Sequence, residues 1–504
     1  MNRLARARIG AGVLIVLLSV SSLADVPALW FDEGSHLHVP QTLVQRGVYA
    51  DYSAGELRFG GPVLGVGPTV LLPIAASFKL FGIGIVQARG VMVAFLLLFL
   101  LTTWRFAREL ASERVADLTI LLLVGAPAVN VLILGRQVLG EVPALWFVVL
   151  GLLMWHRALQ GDATWKYVVS GLAFGLAVVT KYQFLIMLAP GFGLAWAVTR
   201  WGGAWAPHRA FIVPLLVSGL VFGAWQATLF AYLGADVFAA NVMGVTASSR
   251  GAAVVLSPDR IRDSLHAVLG AGAYVGLVAP ALTWVWARAV STRDERSVTW
   301  MLVVCLACAN LAWFVVSSIG WTRYAVPGLV LAGLSGAAML DHFVWGRADR
   351  DNGSSAKALR AVGWVWIALA GPLPLILTAT TILHPPVNSA QAMATFLDRS
   401  LSRDALIETW EPQLSVMSDH RFRFPPNALL ATAVAYRFSG GPPPSAEYDF
   451  TKPPPDYVLV GDFGEWVAVY PRERLREGFT LLHEEGSFQL FQRRDTPVTR
   501  GDHE

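Results

Sequence analysis

Between residues 9 and 383, apolar blocks of membrane-crossing length follow one another with only short polar stretches between them. No other feature limits the fold so tightly. A run of roughly 20 apolar residues crosses a hydrocarbon core of about 30 Å as a helix, because a segment in lipid must satisfy its own backbone polar groups. A first block runs from residue 9 to about residue 24. Others follow near 86–104, 115–134, 142–156, 167–180, 183–199, 211–232, 265–287, 298–319, 324–344 and 361–383. Only 15% of the 504 residues are charged and 55% are hydrophobic, whereas a soluble domain carries about 25% charge. The net charge of +4 gives no support to nucleic-acid binding. Cys305 and Cys308 stand one helical turn apart inside an apolar block, where they read as small packing residues.

The arginines orient the blocks. Arg105, Arg108 and Arg114 share one loop; Arg157 and Lys166, Arg200 and Arg209, Arg288 to Arg296, and Arg347 to Arg360 fill others. All lie on the side of Arg3, Arg6 and Arg8 only if the further apolar stretch 62–84 does not cross. Cytoplasmic loops concentrate Lys and Arg, so 62–84 is expected to lie in the outer leaflet and the N-terminus to be cytoplasmic. The first block is expected to remain as an uncleaved span, although Ser22-Leu23-Ala24 has the spacing of a signal-peptidase site. Asn352-Gly353-Ser354 then falls in a cytoplasmic loop and reads as a chance sequon, while Gly171 and Gly175 permit a close helix approach.

The expected fold class is a membrane all-α bundle of about eleven transmembrane helices plus an outer-leaflet helix, with a small C-terminal α/β extracytoplasmic domain. The division falls at 1–383 and 384–504. In the tail a helix is predicted near 390–401 and strands near 405–410, 457–461 and 479–493, the last folded into a hairpin at Glu484-Glu485-Gly486-Ser487.

The polar residues that break the apolar pattern fall on the outer side. Trp30-Phe31-Asp32-Glu33 is followed by His36 and His38. Arg136 and Glu141 stand between two spans, Lys181 stands between two more, and Arg323-Tyr324 opens a later one. A charge at a membrane boundary is costly unless solvated, paired or used. Helix capping, dipole compensation and snorkelling are the structural readings of these residues. The chemical reading is a carboxylate that takes a proton, with cations that hold a lipid phosphate. A divalent metal is a further possibility. His36, His38 and the carboxylates supply ligand atoms, in a spacing that matches no zinc pattern.

These residues in this order resemble the GT-C superfamily of polytopic glycosyltransferases, in the branch of protein O-mannosyltransferases and the aminoarabinose and galacturonic-acid transferases. The resemblance is carried over about residues 10–345 by Trp30-Phe31-Asp32-Glu33, Gly67-Pro68, Phe78-Lys79-Leu80-Phe81-Gly82, Ala88-Arg89, Arg136 with Glu141, Thr180-Lys181, and Arg323-Tyr324 with Pro327. It implies catalytic roles for Asp32, Glu33 and Glu141, with Asp32 as general base. It also implies substrate binding by His36, Arg136, Lys181, Arg323 and Tyr324. Two departures stand out. The second acidic position holds Glu141 where relatives usually carry aspartate, and a metal ligand expected just before Pro62 is missing from Arg58-Phe59-Gly60-Gly61. The cofactor is therefore unknown.

The activity implied is transfer of one sugar, with inversion, from a polyprenyl-phosphate-linked donor to an extracytoplasmic glycolipid, glycan or protein. The setting would be the bacterial plasma membrane. An outward-facing site argues against cytoplasmic nucleotide-sugar donors. The alternatives are a transporter or flippase for a lipid-linked sugar, or a non-catalytic assembly partner of the same fold. Transporters often show internal repeats, and none is evident in this sequence.

Overall fold

The computed structural model describes residues 3–59, 65–127, 129–161, 163–201, 206–252, 254–270, 273–292, 294–346 and 354–494. The first helix, α1 (Arg3–Val20), leads to α2 (Phe31–Arg46), and a short hairpin, β1 (Asp51–Ser53) and β2 (Glu56–Arg58), follows. Helices α3 (Pro68–Phe81), α4 (Ile85–Leu110), α5 (Glu113–Gly125), α6 (Val131–Leu134), α7 (Glu141–Gly161), α8 (Thr164–Thr180) and α9 (Phe184–Trp201) come next. They are succeeded by α10 (Arg209–Leu233), α11 (Ala235–Ala252), α12 (Pro258–Leu269), α13 (Val278–Thr292), α14 (Glu295–Ser317), α15 (Val326–Asp341), α16 (Ser354–Ala370) and α17 (Pro372–Leu383).

Among the described residues, seven helical segments are long and apolar enough to cross a membrane. Three of the predicted blocks are interrupted. The block 115–134 stops at Gly125, two residues before Pro127, and resumes as α6; a proline disfavours helical backbone at its predecessor, and Ala126 is extended. The block 265–287 is divided after Leu269, and the block 361–383 is cut at Gly371-Pro372. Helix α3 has 14 residues, hence a length of about 21 Å, short of the roughly 30 Å core. Gly171 and Gly175 on α8 sit against Pro214, Val217, Ser218 and Val221 of α10 with no space for a side chain. Asn352, and residues 60–61 immediately before Pro62, lie outside the described residues.

After residue 384 the chain forms α18 (Ser389–Ser400), β3 (Leu406–Thr409), β4 (Arg421–Arg423), α19 (Leu429–Ser439), β5 (Tyr457–Val460), α20 (Asp462–Trp466), α21 (Arg472–Gly478), β6 (Phe479–Glu485) and β7 (Phe488–Arg493). The sheet order is β4-β3-β5-β7-β6. The pairs β3–β4 and β3–β5 are parallel, and β5–β7 and β6–β7 antiparallel. Successive strand residues face opposite sides. Ile407, Leu459 and Leu490 accordingly pack with Met393 and Leu397 of α18, while Val458 and Val460 pack with Ala433 of α19 and Leu475 of α21. Gly486, at φ 59°, makes the hairpin turn between β6 and β7.

This sheet domain is seated on α2. Gly34 lies so close to the Pro412–Gln413 backbone that a side chain has no room. Phe31 stacks on Phe463 with ring centroids 3.5 Å apart, and Gln41 donates to the Ser415 carbonyl at 3.0 Å. The helix that carries the acidic pair thus touches the C-terminal domain along its length.

Candidate active site

Trp30 is extended, with φ −137° and ψ 175°, and α2 begins at the next residue, so both acids fall in its first turn. Negative charge is favoured there by the helix dipole. Adjacent residues on a helix point about 100° apart, and the two carboxylates meet different partners. Glu33 turns inward. Its oxygens accept from Arg89 at 2.6 and 3.1 Å and from the Val138 backbone N–H at 2.9 Å, and neither charged side chain has any exposure. Asp32 turns toward the Arg323 guanidinium, 2.5 Å away, and keeps 22% of its side chain accessible.

One turn after Asp32, His36 donates from Nδ1 to the Val138 carbonyl at 2.7 Å. A neutral imidazole protonated at Nδ1 leaves Nε2 as an acceptor. Burial, opposed mainly by the nearby Asp32 charge, holds the imidazole down at about 4. Burial alone would raise the Asp32 carboxyl; Arg323, with His36 and Lys181, outweighs it and keeps the group below the usual carboxylate range.

The second pair is Glu141, the first residue of α7, and Lys181, which follows α8. Their side chains meet at 2.6 Å. Gly140 makes this possible, because a side chain there would collide with the Lys181 methylenes. Glu141 Oε2 is buried and has no partner among the described residues. Lys181 is anchored from behind: Gly67 donates to the Thr180 carbonyl at 3.0 Å, and Thr69 and Thr180 share a 2.7 Å hydroxyl contact. Arg323 also lies over the rings of Trp30, Trp321 and Tyr324, 4.6 to 5.3 Å from their centroids. Asn310 holds this turn, donating to the Tyr324 carbonyl at 3.2 Å and accepting from Gly328 at 2.8 Å.

The structure therefore brings Asp32, His36, Glu141, Lys181, Arg323 and Tyr324 to one end of the bundle. Glu33 is turned to Arg89. Arg136 donates to the Ser21 carbonyl, and its Nε and Nη1 have no partner among the described residues.

Beside Asp32 and His36 lies a cavity of about 130 Å³. Its far wall comes from the C-terminal domain, with Trp410, Phe424 and Asn427. Nothing in the local sequence marks these three residues, which stand some 380 positions along the chain from α2. A second network, of which the sequence marked His38 but not Asp51, borders the cavity: Asp51 joins His38 at 2.6 Å and Arg58 at 2.5 Å. His38 Nε2 meets Ser415 Oγ at 2.7 Å. Both His38 nitrogens are thus engaged, and no three His, Cys, Asp or Glu side chains among the described residues converge to hold a metal ion.

Comparison with known proteins places this geometry in a recognised fold. Residues 66–225 match the sequence profile of the family described as dolichyl-phosphate-mannose-protein mannosyltransferase. The chain superposes on ArnT from Cupriavidus metallidurans in its apo state with a TM-score of 0.67 and 16% identity, over 97% of this chain and 98% of that one. The same protein bound to undecaprenyl phosphate gives a TM-score of 0.64 at 16% identity, with 96% of each chain covered. The apo oligosaccharyltransferase of Archaeoglobus fulgidus gives 0.58 at 14% identity, over 97% of this chain and 75% of that one. No curated protein matches by sequence. The resemblance to the GT-C superfamily is borne out, and the chain is an integral multi-pass membrane protein.

Proposed function

We propose that this GT-C-fold membrane protein is a glycosyltransferase that moves a single sugar from a polyprenyl-phosphate-linked donor to an extracytoplasmic glycolipid, glycan or protein. One observation carries the proposal: two acid–base pairs, Asp32–Arg323 and Glu141–Lys181, form a single cluster at one end of the bundle. The undecaprenyl phosphate bound by the Cupriavidus protein supports a lipid-phosphate donor.

In the proposed reaction the acceptor hydroxyl attacks the anomeric carbon and Asp32 takes its proton. The bond from that carbon to the phosphate oxygen breaks, and the polyprenyl phosphate leaves with the electron pair. Lys181 and Arg323 neutralise the charge that builds on the leaving phosphate, where fixed cations act most strongly. The leaving phosphate is stable as an anion and needs no general acid. A single base without a covalent nucleophile inverts the anomeric centre. Glu141 holds Lys181 in place, and His36 Nε2 offers the acceptor hydroxyl a second hydrogen-bond acceptor. Glu33 and Arg136 act from behind, Glu33 by fixing α2 to α4.

The proposal includes an orientation. Residues 1–383 form the membrane domain with a cytoplasmic N-terminus, residues 384–504 form an extracytoplasmic domain, and the membrane is the bacterial plasma membrane. A flippase reading gains nothing from the structure, since the cluster sits at one end of the bundle rather than along a path through it.

Mass spectrometry of cell-envelope glycans from a deletion strain is expected to show loss of one sugar substituent. Purified protein given a polyprenyl-phosphate sugar and that acceptor should then release polyprenyl phosphate. An unchanged envelope together with no release would remove the enzyme assignment.

A further inference from the structure

Helix α4 starts beside the cluster, where Arg89 pairs with Glu33, and ends at Leu110, about 30 Å further along its axis. At that opposite end a second, half-open cavity of about 360 Å³ lies where α4, α13 and α15 finish and α5 and α14 begin. This volume lies within the roughly 300–1,000 Å³ of small-molecule sites.

The lining is divided by chemistry. Leu110, Val115 and Val285 make an apolar wall, Trp284 and Trp300 flank it, and Arg288 and Arg296 stand at its polar edge. The acids present are already committed. Asp294 caps α14, accepting from the Ser297 N–H at 2.7 Å and its hydroxyl at 2.5 Å. Asp341 is 3.3 Å from Arg114. Arg288 lies over the Trp284 ring at 5.4 Å and 3.4 Å from His342 Nδ1. Among the described residues neither Arg288 nor Arg296 comes within ion-pair distance of an acid, although the Arg296 charge acts on Asp294. The chain leaves α15 through a π-helical turn, His342–Gly346, which sets His342 on the cavity.

A free anion would use the two arginines and leave the apolar wall wet. A lipid headgroup uses both parts: its phosphate meets the guanidinium groups bidentately, while its glycerol and first methylenes cover the wall. Indoles at a hydrocarbon boundary suit the same occupant. We propose that this cavity binds the phosphate headgroup of an anionic phospholipid in the leaflet opposite the active site, and that the bound lipid ties five helix ends together. The proposal does not rest on the transferase reading, because none of these residues belongs to that cluster.

The test uses the full-length protein in detergent, exposed to phosphatidylglycerol or to phosphatidylcholine and examined by native mass spectrometry. The parent protein should retain phosphatidylglycerol in preference. The R288Q/R296Q double variant should retain it roughly tenfold less or weaker, since each cation near a membrane surface contributes substantially to anionic-lipid binding. Should that variant fail to give a monodisperse protein, T292E replaces it. Thr292 is exposed and lines the cavity, so a carboxylate there repels the phosphate while sparing the core. Equal retention of the two lipids by the parent, or unchanged retention by a well-folded variant, overturns the proposal. So does thermal stabilisation by inorganic phosphate alone that equals the effect of phosphatidylglycerol, which would identify a site for a free anion.

Discussion

The guanidinium of Arg323 lies 2.5 Å from the carboxylate of Asp32, which ties the proposed base at the start of α2 to the turn before α15, almost 300 residues later. The contact keeps Asp32 ionised and engages one carboxylate oxygen, Oδ2. A donor phosphate competes for the same guanidinium. Donor binding would therefore draw Arg323 toward the lipid and release Asp32 toward the acceptor, so that the base is freed only when the donor is in place.

Replacing Asp32 by Asn keeps the shape of the side chain and a carbonyl oxygen for Arg323 to bond. Protein level and membrane insertion should be preserved, while transfer falls by about 10²–10⁴, the usual contribution of a general base. Turnover by purified Asp32→Asn close to that of the parent would show that the proton goes elsewhere.

The acid limb of the rate profile should lie low. With Asp32 held below the ordinary carboxylate range and His36 near 4, neither group changes charge between about pH 5 and 8, where an ordinary imidazole near 6.5 would. A carboxyl whose folded-state pKa lies below its unfolded value binds fewer protons when folded. Its pairing thus stabilises the protein at neutral pH, and the contribution is lost as pH falls through the carboxylate range. His36 acts in a higher window and for a different reason: below about 6.5 the unfolded imidazole takes a proton that the folded one refuses until about pH 4, so stability drops as the pH falls between the two. In Arg323→Gln the acid limb should move to higher pH. A profile that inflects near 6.5 in the parent and vanishes in His36→Gln would contradict this arrangement.

Glu33 should behave as a structural residue. Both Glu33 and Arg89 are fully buried, and removing one member of a buried pair costs about 3–5 kcal/mol because a charge is left uncompensated. Arg89→Leu should lower the thermal unfolding temperature sharply, and Glu33→Leu combined with Arg89→Leu should recover much of the loss. Full stability of Arg89→Leu would mean that water reaches Glu33.

Sequence reasoning reached the polar residues of the cluster because charges in apolar surroundings are conspicuous: Asp32, Glu141, Lys181 and Arg323 each interrupt a hydrophobic pattern. Only the family resemblance separated Asp32 from Glu33; the residues alone did not, since which acid faces the cavity depends on where α2 begins and on Arg89 lying opposite it. Trp410, Phe424 and Asn427 were not legible for another reason. Nothing local distinguishes them from other residues of a soluble domain, and only the docking of Pro412–Gln413 against Gly34 brings them to the site. In the bundle, apolar block length marked the spans but not the breaks at Pro127, Gly270 and Gly371, because hydropathy is blind to backbone interruption. The hairpin at Gly486 was readable, its turn residues being local, whereas the three-residue strand β4 was too short to show a pattern.

The orientation can be tested with single cysteines, after Cys305 and Cys308 are replaced by Ala. Cysteines at Ser112 and Ser354 should resist an impermeant thiol reagent in intact cells, and one at Ser445 should react. Ser112 caps α5, its hydroxyl accepting from the Val115 N–H at 3.1 Å, so its substitution should cost about 1 kcal/mol without disturbing the bundle. Labelling at Ser112 with protection at Ser445 would mean that the stretch containing α3 crosses the membrane and the positive-inside assignment is inverted.

The most specific prediction concerns Lys181. Simple snorkelling does not describe it, for its ammonium is 2.6 Å from Glu141 and its stem is fitted against Gly140. A paired lysine still has two N–H donors to give to a lipid phosphate. In Lys181→Met the length and packing are kept, but Glu141 loses its cation and the phosphate loses a donor. Both effects fall on donor binding, so the apparent affinity for a polyprenyl-phosphate sugar should drop by about tenfold or more, the loss of one charge-assisted hydrogen bond being worth roughly 1.5–3 kcal/mol. Lys181→Arg should retain part of the activity, since it keeps the charge while changing the donor geometry. Glu141→Gln separates the two contributions. If Glu141 only positions the lysine, this variant should bind donor more weakly than the parent but better than Lys181→Met, because the ammonium remains. Donor titrations of the three variants at fixed acceptor concentration decide the matter. An apparent affinity in Lys181→Met equal to the parent's would leave the Glu141–Lys181 pair as a fastener between α7 and α8 with no part in holding the donor.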